Sequence, residues 1–365
     1  MLKPLSILIL LITTSMQSFA NSSAVILQYH HVSDSTPLST SVLPEQFIAH
    51  LDWINKNNFK VLALPDIVST LQNKKELSHD KVLAITFDDA NSSVCKIAWP
   101  ILKNYKVPFT LFITSEAVNK GYQSQCSWGE LKEMYESGLM TPANHSHQHL
   151  NMVSNSLLKN MNDWRILTKN EISKAQSLIE TNVGYASTLF AYPYGEYNTA
   201  LSSIITELGY TGFGQQSGAI GFESDFSALP RFPASGQFAN LETLTVKLNS
   251  LFFPAKFTPS IDNPILFNSE HNPPELMMSV STKSLLQTTN CFNSRGQALR
   301  LIKEHGSLII SETKKLEPGR HRYTCTSQSD ISGRFYWFSH QWLIEEATNN
   351  TESFSLGDMF HKLFE

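Results

Sequence analysis

Val82-Leu83-Ala84-Ile85-Thr86-Phe87-Asp88-Asp89 decides how this chain folds: an apolar run reads as a buried strand, and it ends on two carboxylates. Ala24-Val25-Ile26-Leu27-Gln28-Tyr29 repeats the pattern and ends in His30-His31. Phe109-Thr110-Leu111-Phe112-Ile113-Thr114 repeats it after Pro108, and Thr188 to Tyr192 makes a further strand before Pro193-Tyr194-Gly195. Helical spacing fills the intervals. Phe47, Leu51 and Ile54 recur behind Pro44, a helix is expected from Thr199 to Leu208 with Gly209 as its stop, and Asn240 reads as an N-cap. Alternating strands and helices predict an α/β domain built on a parallel sheet. The carboxyl ends of the strands form the functional rim of such folds. His30, Asp88-Asp89 and the Pro193-Tyr194-Gly195 turn each follow a strand, so one site at that rim is expected to gather them.

After Leu251 the texture changes. Pro254, Pro259, Pro264 and Pro273-Pro274 punctuate a connector, and short alternating runs follow: Glu275 to Ser281, Ser307 to Ser311, His321 to Cys325 and Phe335 to Ile344. Turn signals such as Glu317-Pro318-Gly319 separate them, which predicts a small all-β sandwich of about 90–100 residues. The expected division is residues 1–20 as a signal peptide, 21–252 as the α/β domain, and 253–365 as a linker and C-terminal β-rich domain. Phe335-Tyr336-Trp337-Phe338 and Trp342 in the last part read either as a sugar-stacking face or as ordinary core.

The first twenty residues have the three parts of an export signal: Lys3, the apolar stretch Leu5 to Ile12, and Ser18-Phe19-Ala20 as a small-x-small cleavage site. That predicts a periplasmic or secreted protein. Its four cysteines fall as Cys95 and Cys126, then Cys291 and Cys325, so one disulfide per domain is the natural connectivity, with buried thiols as the alternative. Formal net charge is −4 and no basic run occurs, which excludes a nucleic-acid footprint. G-x-S-x-G is absent, so a serine esterase lacks support.

Two clusters carry chemistry. Asp88 and Asp89 point in different directions if the strand continues through them, so one can bind a cation while the other stays free as a base. An Asx-turn is the structural alternative. Asn144-His145-Ser146-His147-Gln148-His149 packs three of the chain's twelve histidines into five positions. On a helical turn His145 and His149 would face the same way, whereas an extended stretch would align 145, 147 and 149. With Ser146 and His147 in the middle there is no H-E-x-x-H, which disfavours a zincin protease. Two imidazoles and one carboxylate leave room for water, as catalytic metal sites do. They suit zinc first, and also cobalt, nickel or iron.

Thr-Phe-Asp-Asp at 86–89, His-Ser-x-x-His at 145–149 and Phe-Ala-Tyr-Pro-Tyr-Gly at 190–195 resemble, in order and separation, the successive motifs of the polysaccharide deacetylase family, carbohydrate esterase family four. The resemblance covers about residues 24–250 and implies a distorted (β/α) barrel performing metal-assisted deacetylation. Tyr29-His30-His31-Val32 and Leu229-Pro230-Arg231, the latter expected after the barrel's last strands, resemble the branch acting on poly-β-1,6-N-acetylglucosamine. By that likeness Asp88 is the base, Asp89, His145 and His149 are the metal ligands, His30 is the general acid, and the Tyr194 backbone N–H helps hold the oxyanion. An amino-sugar polysaccharide, met at a cell-envelope glycan surface, is the implied partner.

Ala90 stands where the family usually has glycine, and Ala191 where it usually has arginine; Arg231 is the candidate that holds the base instead. His31 is the alternative acid, a packed strand-end histidine the alternative for His30, and no aspartate is placed to orient the acid. Chitin oligomers, peptidoglycan or an O-acetylated glycan are alternative substrates. A non-catalytic glycan-binding protein is the alternative from another class, which the full set Asp88, Asp89, His145, His149 and His30 disfavours.

Overall fold

The structure, a computed structural model, describes residues 22–346 except 155, 156, 158, 159, 281 and 282. The expected signal peptide, residues 1–20, lies outside the described residues. Strands β1 (Ala24–Tyr29), β2 (Lys60–Val61), β3 (Val82–Asp88), β4 (Phe109–Ile113), β5 (Met140–Asn144), β6 (Leu189–Ala191), β7 (Thr211–Phe213) and β8 (Phe232–Pro233) form one sheet. Its order is β8-β1-β3-β4-β5-β6-β7, with β2 beside the start of β3. Every pairing is parallel. Leu229 bridges to Phe213 of β7, and Phe232 of the same segment pairs with Leu27 of β1, so the sheet rolls round into a distorted (β/α) barrel. Leu229-Pro230-Arg231 therefore leads into the closing strand; the expectation that it follows the last strand is corrected.

Alternation along the strands sorts residues between two faces. Leu83, Ile85 and Phe87 of β3, with Val25, Leu27 and Tyr29 of β1, face outward into a core shared with helices. That layer includes α1 (Pro44–Lys56), α3 (Trp99–Tyr105), α5 (Trp128–Glu136) and α8 (Leu241–Leu248), numbered with α2 (Leu64–Gln72), α4 (Ser115–Asn119), α6 (Met161–Val183) and α7 (Thr199–Glu207). The other face lines the barrel. Ala24, Ile26, Val82, Ala84, Phe112, Ala143, Ala191, Phe213 and Leu229 fill it, together with Leu64, Ile67, Val68 and Leu71 of α2. The four alanines make room there for the rings of Phe112 and Phe213.

The same parity places the polar residues. Gln28 and His30 share the alternation of Ala24 and Ile26, and Thr86 and Asp88 that of Val82 and Ala84. His145 follows Ala143, and Arg231 follows Leu229. Thus the inward positions turn from apolar at the strand starts to polar at the strand ends, which is where the site forms.

The C-terminal part is two antiparallel-rich sheets facing one another. β9 (Ser250–Phe252), β11 (Ile265–Leu266), β13 (Asn290–Phe292), β16 (Gly319–Gln328) and β17 (Phe335–Glu345) form one; β10 (Ala255–Pro259), β12 (Glu275–Val280), β14 (Arg300–Glu304) and β15 (Ser307–Ser311) form the other. Leu276, Met278, Leu308 and Ile310 meet Tyr323, Trp342 and Ile344 between them. Disulfides Cys95–Cys126 and Cys291–Cys325 form, one in each part, as the natural connectivity predicts. Packing takes up much of the aromatic run: Phe338 stacks on Phe257, Trp337 meets the Phe232 ring edge-on, and Trp342 is fully buried, whereas Phe335 is exposed. Trp337 and Phe338 also line a cleft of about 870 Å³ between the two parts, apart from the polar rim.

Candidate active site

Asp88, the last residue of β3, is buried inside the barrel and held by three hydrogen bonds from two side chains. Arg231 Nη1 donates to Oδ1 at 2.6 Å and Nη2 to Oδ2 at 2.9 Å, and Gln28 Nε2 donates to Oδ2 at 2.6 Å. Arg231 is anchored in turn, donating through Nε to the Gly214 carbonyl at 3.0 Å, with the Phe112 ring 5.1 Å away. Burial alone would raise the Asp88 pKa, but the charges of Arg231, His145 and His30 outweigh it and hold the carboxyl below its usual range. Asp88 is an anion of fixed orientation. Arg231 thus reaches Asp88 from across the barrel.

Asp89 leaves the strand. Its φ of 75° swings the carboxylate away from Asp88 and toward the histidine loop, and Ala90 follows at φ 60°. Of the nine non-glycine residues with positive φ among the described residues, five are here: Asp89, Ala90, Ser146, His149 and Tyr194. Left-handed backbone at a non-glycine residue costs about 1–2 kcal/mol, and such strain collects where a site must be shaped. Hydrogen bonds from Cys126 N to the Ala90 carbonyl (2.9 Å) and Ser92 N to the Ser124 carbonyl (2.8 Å) brace this turn, beside the Cys95–Cys126 bridge.

The histidine stretch is neither a helical turn nor an extended strand. β5 ends at Asn144, and the loop beyond it bends through Ser146 and His149. Asn144 Oδ1 accepts from Ser146 N at 2.9 Å, Ser146 Oγ accepts from His149 N at 3.0 Å, and buried Glu171 of α6 accepts from Gln148 N at 2.7 Å. The result brings His145 and His149 together and sends His147 elsewhere, to Ser115 Oγ at 2.9 Å. His145 Nδ1 faces the Ala191 carbonyl at 2.8 Å. A carbonyl only accepts, so Nδ1 carries a proton toward it and Nε2 is left facing Asp89.

Asp89 Oδ1 lies 3.4 Å from His145 Nε2 and 3.6 Å from His149 Nε2. The three candidate ligand atoms fall within 4.8 Å of one another. Ligands on a tetrahedral centre with bonds near 2.1 Å sit about 3.4 Å apart, so these residues fit a divalent cation such as zinc. Burial, with the charge of His145 added, pushes His149 down to about 4, leaving a neutral imidazole at neutral pH. Burial pushes His145 the same way, but the hydrogen bond and charge of Asp89 and the charge of Asp88 outweigh it and raise it. Asp89 is drawn well below the carboxylate range by the histidines around it, against its own burial.

His30 enters from β1 with Nε2 3.9 Å from Asp88 Oδ2, beyond hydrogen-bond distance. His31 points outward, its Nδ1 3.4 Å from Ser93 Oγ, and does not join the cluster. The Tyr194 ring packs edge-on to His149 with centroids 4.6 Å apart, and its backbone sits at φ 60°, ψ 1° in the turn after β6. Gln28 and Glu171 are the contributors that motif reasoning missed. Gln28 had a local signal, a lone amide in an otherwise apolar strand; Glu171 had none short of the fold.

Residues 75–213 match the family model described as polysaccharide deacetylase, a span that contains Asp88, Asp89, His145, His149 and Tyr194. The chain is 28% identical over 231 residues to the poly-beta-1,6-N-acetyl-D-glucosamine N-deacetylase of Staphylococcus aureus, covering 58% of this chain and 79% of that one. The fold is similar to that of the Streptococcus pyogenes deacetylase PplD in complex with acetate, with TM-score 0.56, 23% identity, and 62% of this chain and 99% of that chain covered. It is also similar to that of IcaB from Ammonifex degensii, with TM-score 0.55, 22% identity, and 62% and 97% covered. Motifs, fold and kinship converge: the chain carries a polysaccharide deacetylase domain and is a carbohydrate deacetylase, a hydrolase.

Proposed function

We propose that this protein removes N-acetyl groups from a poly-β-1,6-N-acetylglucosamine polymer, outside the cytoplasm, with the help of a divalent cation, zinc foremost. One observation carries the reading: the barrel separates two adjacent carboxylates, giving Asp88 to Arg231 and Gln28 and giving Asp89 to His145 and His149. The printed activity of the Staphylococcus aureus relative supports the polymer. Two disulfides suit an oxidising compartment, periplasmic or fully secreted.

A divalent cation bound by Asp89, His145 and His149 would supply Lewis acidity, polarising the acetamide carbonyl and lowering the pKa of water. Asp88, oriented by Arg231 and Gln28, takes the proton of the attacking water. The Tyr194 N–H helps hold the oxyanion that develops on the acetamide oxygen. His30 then gives a proton to the sugar nitrogen as the C–N bond breaks, releasing acetate and a free amine. Arg231 does not touch the substrate in this scheme; it keeps Asp88 ionised and aimed.

Acetate release from β-1,6- and β-1,4-linked N-acetylglucosamine oligomers, with and without chelator, tests the proposal. Chelator-sensitive release favouring the β-1,6 oligomer is expected. Preference for β-1,4 would move the substrate to chitin-like or wall glycans, and no release with zinc bound would overturn the reading.

A further inference from the structure

The C-terminal β part reaches the rim of the site through one side chain. Arg320 stands in β16 opposite Leu343 of β17, and Leu343 packs against the barrel cluster that includes Tyr192 and Leu201. Arg320 Nε donates to Glu196 Oε1 at 2.6 Å, joining residues 124 apart in sequence. Its guanidinium carbon lies 5.6 Å from the centre of the Tyr194 ring, which also packs against the His149 ring. Arg320 therefore touches both ends of the Tyr194–Glu196 turn, and that turn touches His149, one of the candidate cation ligands.

Two features of the turn call for an external brace. Glu196 is buried, and its second oxygen, Oε2, has no hydrogen-bond partner among the described residues. A buried carboxylate needs a counter-charge, and Arg320 provides it. Tyr194 holds a left-handed backbone that a tyrosine keeps only where its surroundings impose it. Hydrogen bonds from Gly195 N to the Tyr192 carbonyl and from Glu196 N to the Pro193 carbonyl tighten the turn from within. Asp262, just after β10, accepts from Thr199 N at 2.9 Å, a further tie between the β part and the chain that follows the turn.

We propose that Arg320 is a positioning residue for the deacetylation: it fixes the Tyr194–Glu196 turn, and so makes the β part a structural member of the active site. The catalytic meaning of the turn rests on the function proposed above; the brace itself does not. A misplacement of about 1 Å at such a turn is enough to cost roughly 10²-fold in rate.

The test uses the full chain loaded with zinc, comparing wild type with Arg320→Ala and Arg320→Lys. Backbone amide exchange at residues 194–198 is measured by mass spectrometry, alongside kcat and KM for acetate release from the β-1,6 oligomer. Arg320→Ala should speed exchange in that segment about 10-fold and lower kcat about 10-fold with KM and zinc content unchanged. Arg320→Lys, which keeps the charge without the planar fork, should recover part of both. Should Arg320→Ala not fold, Glu196→Gln removes the same charge pair and should show the same two effects in weaker form. Unchanged exchange overturns the positioning role, as does faster exchange with unaltered kcat, or an Arg320→Lys no better than Arg320→Ala. If wild type itself releases no acetate, the functional reading fails, while the exchange comparison still judges the brace.

Discussion

Arg231 grips both oxygens of Asp88, at 2.6 and 2.9 Å, in the barrel interior where neither side chain is exposed. The pair spans β3 and the segment leading into β8, so it ties the closing strand to the centre of the sheet as well as fixing the Asp88 carboxylate. Arg231→Lys keeps a charge but cannot reproduce the two-pronged contact. We expect that variant to fold and to lose on the order of 10²-fold in kcat for acetate release. Arg231→Met leaves a buried carboxylate unpaired, and thermal melts should show a loss of about 3–5 kcal/mol. Near-normal turnover in Arg231→Lys would remove Arg231 from the site's working parts.

His30 is assigned the proton for the departing nitrogen, which makes its importance depend on the leaving group. A sugar amine needs that proton, whereas 4-nitrophenolate leaves without one. His30→Gln should therefore reduce acetate release from amino-sugar oligomers by about 10²–10⁴-fold. Cleavage of 4-nitrophenyl acetate should fall far less. Equal losses on both substrates would point to a role for His30 in binding or shaping the site, not in proton donation.

Lys247 offers a prediction away from the site. It is buried in α8, its ammonium has no hydrogen-bond partner among the described residues, and it lies 4.3 Å from the Phe238 ring centre. Burial, with the Arg322 charge added, pushes its pKa down to about 8. The unfolded chain would hold that proton up to about 10.4, so between about 8 and 10.4 it binds more protons than the folded chain, and stability rises with pH. Below that window the burial cost is present in full. Lys247→Met should raise stability at pH 7 by on the order of 2 kcal/mol, with the advantage over wild type shrinking as pH climbs toward 10. Denaturant titrations at pH 7 and 9.5 check this; a constant difference would show that Lys247 titrates normally.

Ala24–Tyr29 was legible because burial on both faces leaves a continuous apolar run, and Ser307–Ser311 because one buried face leaves an alternating one; both emerge with the expected bounds. The natural disulfide pairing was legible for a similar reason, each pair being close in sequence. Alternation also carried information that a motif does not show: Gln28 and His30 share a face with Asp88 once β1 and β3 pair in register, Gln28 opposite Thr86. The path of residues 145–149 was not legible, since left-handed Ser146 and His149 are stabilised by Asn144 and Glu171, not by local propensity. Nor was the Arg320–Glu196 contact, which exists only after two separate sheets have folded and met. The order of Leu229-Pro230-Arg231 relative to the last strand was misjudged because Phe232–Pro233 is too short to leave a strand pattern.

We propose a division of labour between neighbouring carboxylates, Asp88 as base and Asp89 as ligand. Zinc content and acetate release, measured side by side in Asp88→Asn and Asp89→Asn, test it most directly. Asp88→Asn should keep a full zinc complement and lose about 10²–10⁴-fold in turnover. Asp89→Asn should lose zinc affinity first, with turnover falling as the metal leaves. An Asp88→Asn protein that turns over normally, or an Asp89→Asn protein that binds zinc as tightly as wild type, would overturn that division.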